Sequence, residues 1–214
     1  MTQFVTTTEM LTLEDYTMND FDIPQEVLIE RAAIAVQEVI GAGSFNLSHI
    51  LVLVGLGNNG ADGIALGRLL HQQGLSVSLQ FVGNLNRAKA SVHKQLEIAK
   101  HCGLHPSEKS DFKEATLIVD AIFGTGLNNP LPEGLQKMMK AANHIDNDVI
   151  AIDTPTGINP NTGEVMGAAL KAHTTVALGY PKVGLRKNQG RKYCGDLVVK
   201  DIGVLTPDTF AFSL

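Results

Sequence analysis

The chain has 214 residues, which at roughly 150 residues per domain predicts one domain with a small extension. A net charge of −5 excludes a broadly basic nucleic-acid binder, and 44% hydrophobic against 18% charged residues is too apolar for a disordered chain. Two cysteines, Cys102 and Cys194, cannot build a disulfide framework, so a reducing cytoplasm is the expected compartment. The first six residues carry neither a basic flank nor an apolar run, and the most apolar stretch, 50–57, falls far short of the roughly 18 residues a membrane span needs. With eight Phe, three Tyr and no Trp, the core is expected to be aliphatic.

Taken in chain order, short apolar runs alternate with helical patterns. A helical segment over about 8–41 opens the chain and is expected to pack on the rest. Within it Pro24 suits a first helical position, Val27, Leu28, Ala32, Ala35, Val36, Val39 and Ile40 recur at helical spacing, and Gly41 ends the run. Strands are predicted at 50–54, 77–82, 117–121, 149–152, 174–178 and 196–199, each nearly continuously apolar, as in strands covered on both faces. Helices are predicted from Ile64 to Gln73, from a cap at Asn86 to Cys102, and from Pro132 through Leu135, Met138, Met139 and Ala142, with Met138 and Met139 read as core. This alternation predicts an α/β fold with a mostly parallel sheet and right-handed crossovers. Ligands on such sheets bind beyond the carboxyl ends of the strands, so the residues after each strand should carry the chemistry.

Three post-strand loops stand out. The first is Gly55-Leu56-Gly57-Asn58-Asn59-Gly60-Ala61-Asp62-Gly63, a glycine-rich turn into a helix whose free N–H groups suit a phosphate. The second runs from Asp120 through Gly124-Thr125-Gly126-Leu127-Asn128-Asn129-Pro130, and the third is Asp153-Thr154-Pro155-Thr156-Gly157. A carboxylate at a buried strand end needs a partner, a metal or a proton, and two of the three loops begin with one. The oxygen-bearing side chains of Asn59, Asp120 and Thr156 suit a hard cation, and their single negative charge suits a monovalent one.

Gly55, Gly57 and Gly60 also fit the dinucleotide fingerprint, but no Asp or Glu lies between Asp62 and Glu97, where that fold reads the ribose. A nicotinamide-dependent dehydrogenase is therefore the lesser reading, and the absence of a Gly-Lys-Ser/Thr loop argues against an ordinary P-loop ATPase.

Together these motifs resemble the NAD(P)H-hydrate epimerase family, also called the YjeF N-terminal domain family. The resemblance spans nearly the whole chain, from Leu28-Ile29-Glu30-Arg31-Ala32 through the three loops to Lys182-Val183-Gly184 and Asp201-Ile202-Gly203. It implies a Rossmann-like three-layer α/β/α sandwich and an isomerase that interconverts the R and S epimers of hydrated NADH and NADPH (NADHX and NADPHX). It further implies that Asn58, Asn59, Gly60, Ala61 and Asp62 bind the hydrate, together with Gly124, Thr125, Gly126, Leu127, Asn128, Asn129, Pro130 and Asp153. Asn59, Asp120 and Thr156 are implied to hold one potassium ion. A homodimer is expected, as is a separate ATP- or ADP-dependent dehydratase as functional partner; no nucleic acid and no membrane is expected. Apolar Met10, Leu11, Leu13 and Phe21 are candidates to cover a partner subunit.

The chain departs from the family pattern at Ala33, Ala61, Gly67 and Thr156. Ala61 replaces a glycine, which would strain the backbone by roughly 1 kcal/mol if that position needed positive φ. Asp153 is the expected general acid/base, because its residue type fits and the resemblance puts it against the hydrate; Asp120 is the alternative. The expected chemistry is loss of the ring hydroxyl, a cation supported by the ring nitrogen, and water addition on the other face. The His101-Cys102-x-x-His105 cluster reads as a helix end and not a metal site, since Gly103 and Pro106 break its alignment. Lys182, Arg186, Lys187, Arg191 and Lys192 read as a solvated basic loop, with attraction of ligand phosphates as the functional alternative. A scaffold module of the same fold is the other class considered; it is disfavoured because Asn59, Asp120, Asp153 and Thr156 are all present.

Overall fold

A computed structural model describes residues 2–107 and 112–213. Helices α1 (Thr7–Asp20) and α2 (Gln25–Ala42) precede β1 (Ile50–Val54), α3 (Asn58–Gln72), β2 (Val77–Phe81) and α4 (Ala90–His101). Then follow β3 (Leu117–Ala121), α5 (Glu133–Ala142), β4 (Asp148–Ile152), β5 (Thr174–Leu178), α6 (Gly190–Tyr193) and β6 (Asp196–Lys200). The six strands form one sheet in the order β2-β1-β3-β4-β5-β6, and every pairing is parallel.

Side chains alternate across the sheet with a period of two, which divides the apolar residues into two layers. Val52, Val54, Val119, Ile150, Ile152 and Val176 meet α2, α3 and α4 on one face. Leu51, Leu53, Ile118, Val149 and Ala151 meet Met139 of α5 and Leu131 and Leu170 on the other. This is the expected three-layer α/β/α arrangement. Both layers are aliphatic, and burying each Leu or Ile contributes about 1.5–3 kcal/mol.

All six predicted strands are present within one residue at either end. Helix starts differ more. The helix after β1 begins at Asn58 and not at Ile64, so the Asn-Asn-Gly-Ala-Asp run forms its first turns. Ala61 is therefore helical and wholly buried, and carries none of the positive-φ strain considered for it. Pro24 and Pro132 each sit one residue before their helix, with extended ψ of 147°, and α2 runs one residue past Gly41 to Ala42. Asn86 caps no helix: Asn84 caps a 3₁₀ turn over Leu85–Arg87, and α4 starts only after Lys89. The N-terminal helical segment is two helices, broken around Asp22, where φ is +51°.

The register levels the carboxyl ends of the central strands. Val54 pairs with Ala121 and Asp120 with Ala151, so Gly55, Ile122 and Asp153 emerge side by side. Helix α1 lies over this edge. A capping box starts it: Thr6 Oγ1 accepts from Glu9 N–H at 3.2 Å and Glu9 Oε2 accepts from Thr6 N–H at 2.7 Å. Val5 exchanges backbone hydrogen bonds with Pro181 and Val183, and Thr17 Oγ1 accepts from Leu205 N–H at 2.8 Å. These bonds tie α1 both to the segment after β5 and to the C-terminal segment. Ser213 N–H closes the arrangement on Glu9 Oε1 at 2.7 Å.

Among the departures from the family pattern, Gly67 has a packing reason. A Cβ there would lie 2.8 Å from Leu79 Cδ2, so the leucine on β2 occupies the space a methyl would need. Ala33 is fully buried in the α2 layer.

Candidate active site

A cavity of about 930 Å³ lies between α1 and the carboxyl edge of the sheet. Its walls come from Met10, Leu11, Glu14 and Met18 of α1, from the loops after β1, β2, β3 and β4, and from Lys182 after β5. That size suits a cofactor-sized ligand, and its mixed apolar and polar lining is typical of such sites.

Of the sequence-predicted binding residues, Asn58, Asn59, Asp62, Gly124, Thr125, Gly126, Asn128 and Asp153 line the cavity. Gly60, Ala61, Leu127, Asn129 and Pro130 do not. Ala61 and Leu127 are packed into the protein, and Asn129 and Pro130 are exposed beyond the wall. Met138, expected in the core, is half-buried and lines the cavity, while Met139 is in the core.

Asp120 and Thr156 lie beneath the cavity, with no exposure. Thr156 N–H donates to Asp120 Oδ2 and Thr156 Oγ1 to Asp120 Oδ1, each at 2.7 Å, and Ile122 N–H adds a third bond at 3.3 Å. Burial pushes the Asp120 carboxyl up to about 6, and those hydrogen bonds partly offset it. Phe123 N–H donates to Thr156 Oγ1 at 3.2 Å, and the next residue, Gly124, sits against Asn59. Both amide atoms of Asn59, Oδ1 and Nδ2, are buried without a hydrogen-bond partner among the described residues. A buried unsatisfied amide costs about 1–3 kcal/mol, so an Asn59 oxygen without a donor calls for a ligand. The donor set of one amide oxygen, one carboxylate and one hydroxyl fits a hard, singly charged cation. Among the described residues no group of three or more His, Cys, Asp or Glu is placed to hold a metal.

Asp153 is held in a left-handed conformation, φ +67°, and is nearly buried. Such a conformation costs a non-glycine residue about 1–3 kcal/mol, and outliers of this kind cluster at functional sites. Gly124 makes room for it: a Cβ at position 124 would lie 3.0 Å from Asp153 Oδ2 and 3.4 Å from Asn59 Cγ.

The carboxylate of Asp153 forms an ion pair with Lys182 Nζ. Lys182 is 1% exposed and also donates to Tyr180 O at 3.0 Å. This corrects the expectation of a solvated basic loop: Lys182 points into the cavity, whereas Arg186, Lys187, Arg191 and Lys192 are exposed. The rule that chemistry follows each strand, extended to Gly179-Tyr180-Pro181-Lys182 after β5, would have found it. Glu14 was also missed, and no local pattern marks it, because its place depends on how α1 docks. The His101-Cys102-x-x-His105 stretch, read as a helix end, closes α4 at His101; Cys102 Sγ accepts from Gln72 Nε2 at 3.7 Å, and His101 and His105 are exposed.

Two carboxyls here carry no hydrogen bond among the described residues, Asp62 on α3 and Glu14 on α1. Burial, then the nearby Glu14 and Asp153, push Asp62 well above the usual range, against the pull of Lys182. Burial likewise raises Glu14, with Lys182 opposing and Asp153 adding.

Residues 25–184 match the family model described as YjeF-related protein N-terminus. The chain belongs to this family. Relatives that carry the name NAD(P)H-hydrate epimerase match nearly its whole length. That of Leuconostoc gelidum is 67% identical over 211 residues, covering 99% of this chain and 95% of its own. That of Leuconostoc mesenteroides is 65% identical, covering 100% and 97%, and that of Weissella koreensis is 51% identical, covering 97% and 94%. The crystal structure of yeast ynu0, YNL200c, superposes with a TM-score of 0.79 at 18% identity, covering 96% of this chain and 90% of that one, and so shares the fold. The family membership and these relatives make the chain an isomerase of the epimerase type, in agreement with the sequence reading.

Proposed function

We propose that this chain interconverts the R and S epimers of hydrated NADH and NADPH, with Asp153 as general acid/base. The observation that carries the reading is the Asp153–Lys182 pair, a strained carboxylate with its counter-charge, facing a dinucleotide-sized cavity. The hydrate bears a hydroxyl on the ring carbon next to nitrogen. The nitrogen lone pair expels it once it is protonated, and water then adds to the resulting cation. Asp153 handles the proton on the reacting oxygen, and its negative charge steadies the ring cation. Lys182 orients Asp153 and balances it between turnovers. The first turn of α3 and the Gly124-Thr125-Gly126 loop offer backbone N–H groups to the pyrophosphate.

Asn59, Asp120 and Thr156 would hold one potassium ion, which would supply a fixed positive charge beneath the Gly124 loop and brace it. In the homodimer that the resemblance implies, Leu11, Phe21, Val27 and Ile34, all 42–52% exposed, offer apolar surface on α1, α2 and their junction. Met10 and Leu13, expected there too, are instead buried within the chain. Among the described residues no helix is long and apolar enough to cross a membrane. The epimerised product would pass to a nucleotide-dependent dehydratase acting on one epimer.

The test is to incubate purified protein with R-NADHX and resolve the epimers by chromatography, with and without potassium. Conversion to an R/S mixture above the spontaneous rate, nearly abolished by Asp153→Asn with substrate binding retained, is the expected result. No conversion by folded protein would leave a ligand-binding or scaffold module, and near-normal turnover by Asp153→Asn would remove its assigned role.

A further inference from the structure

We propose that Glu14 is a second catalytic acid/base, serving the ring face opposite to the one served by Asp153; this rests on the epimerase reading. Epimerisation at one carbon makes a demand that a single carboxyl does not meet. The hydroxyl leaves from one face of the ring, and the new water must arrive on the other. A fixed ring therefore needs a proton-handling group on each side.

The cavity has two such sides. One is the sheet edge, where Asp153 projects after β4 with Lys182 beside it. The other is α1, whose cavity-lining face carries Met10, Leu11, Glu14 and Met18, with Glu14 its one ionisable group there. Glu14 is half-buried, and no hydrogen bond occupies its carboxyl among the described residues, so it is free to engage a ligand hydroxyl. The two carboxyls are also prepared for opposite duties. Asp153 is ion-paired, and so stands as the base. Glu14 has no paired cation among the described residues, and burial favours its protonated form against the partial pull of Lys182 and Lys89 and with the push of Asp153 and neighbouring Asp15. The geometry assigns the roles: the carboxyl beside a lysine is the base, and the one that faces the cavity without a paired cation is the acid. Asp62, from α3, faces the same space, and burial together with the charges of Glu14 and Asp153 pushes its carboxyl well above the usual range, against Lys182.

The step balances without a redox partner. Glu14 gives its proton to the departing hydroxyl as the C–O bond breaks, and the ring nitrogen lone pair forms the cation. Water attacks from the sheet side, and its proton passes to Asp153. The reverse epimerisation uses the same two groups with roles exchanged, or solvent resets them.

The test compares wild type, Glu14→Gln and Glu14→Asp on R-NADHX and S-NADHX across pH, with circular dichroism as the check on folding. Glu14→Gln is expected to lower kcat by about a hundredfold or more while KM stays within about threefold, and to lose the alkaline limb of the pH profile. Glu14→Asp is expected to restore part of the rate and that limb, which a purely structural role would not do. Folded Glu14→Gln with wild-type kcat and an unchanged pH profile would overturn the assignment of Glu14 alone. A wild type that converts neither epimer would overturn the epimerase reading, and this assignment with it.

Discussion

Lys182 spends its charge on Asp153: it is buried after β5 and donates to a carboxylate that emerges, in a left-handed conformation, from the neighbouring strand β4. The two residues lie 29 positions apart. Removing one member of a buried pair leaves the other uncompensated, at a cost of about 3–5 kcal/mol. Lys182→Met is therefore expected to lower unfolding stability by about that amount in urea titrations and to reduce epimer conversion by more than tenfold. Unchanged stability would mean that Lys182 and Asp153 are not held as an ion pair in the folded protein.

Gly124 separates Asp153 from Asn59. Gly124→Ala brings a methyl to 3.0 Å of Asp153 Oδ2 and must displace it. Activity is expected to fall at least about tenfold while the melting temperature moves by only about 2–4 °C, because the change sits at the cavity wall and not in either apolar layer. Calorimetry together with the chromatographic assay checks both halves.

Ala61, the residue that differs from the family glycine, is expected to be better left alone. It lies in the first turns of α3 and is completely buried. Ala61→Gly should cost about 1 kcal/mol through helix propensity and should not raise turnover. A faster Ala61→Gly variant would show that the methyl narrows the site.

Potassium should raise the melting temperature of the wild type in a saturable way, since an ion that binds only the folded state stabilises it by mass action. Asn59→Ala should lose that response, and the same salt concentration as sodium chloride gives the control for ionic strength. Equal shifts in the two proteins would dismiss Asn59 as a ligand.

Glu9 makes the docking of α1 sensitive to acid. Burial works against its charge, but hydrogen bonds from Thr6 and Ser213 outweigh it and hold Glu9 down at about 2 against an ordinary 4.5. The folded state thus binds this proton less readily than the unfolded chain. The stabilisation is present above about pH 4.5 and is lost as pH falls toward 2. Amide exchange in α1 should accelerate over that window, and Glu9→Gln should flatten the change. Thr6→Ala removes the cap itself and should cost about 1 kcal/mol at neutral pH.

Local chemistry made much of this protein legible. Strand positions followed from continuous apolar runs, because strands covered on both faces leave no polar alternation to confuse the reading. The three loops after β1, β3 and β4 announced themselves through glycines and strand-end carboxylates, and Asn59, Asp120 and Thr156 do lie around one turn at Phe123 and Gly124. Helix starts were less legible. Asn58 opens α3 although Gly57 and Gly60 flank it, since packing against the sheet overrides the low propensity of glycine.

The sequence by itself determined the α/β architecture, the positions of the strands and the family, because these depend on composition, periodicity and motifs read along the chain. Only the tertiary structure decided that Lys182 leaves the basic run to join Asp153, and that Glu14 and Met10 of α1 close the cavity. Both outcomes depend on parallel register and on α1 docking over the sheet edge through Val5, Thr17 and Ser213. Contacts between residues far apart in the chain leave no periodic trace in it, so a buried charge pair looks the same in sequence as two exposed ones.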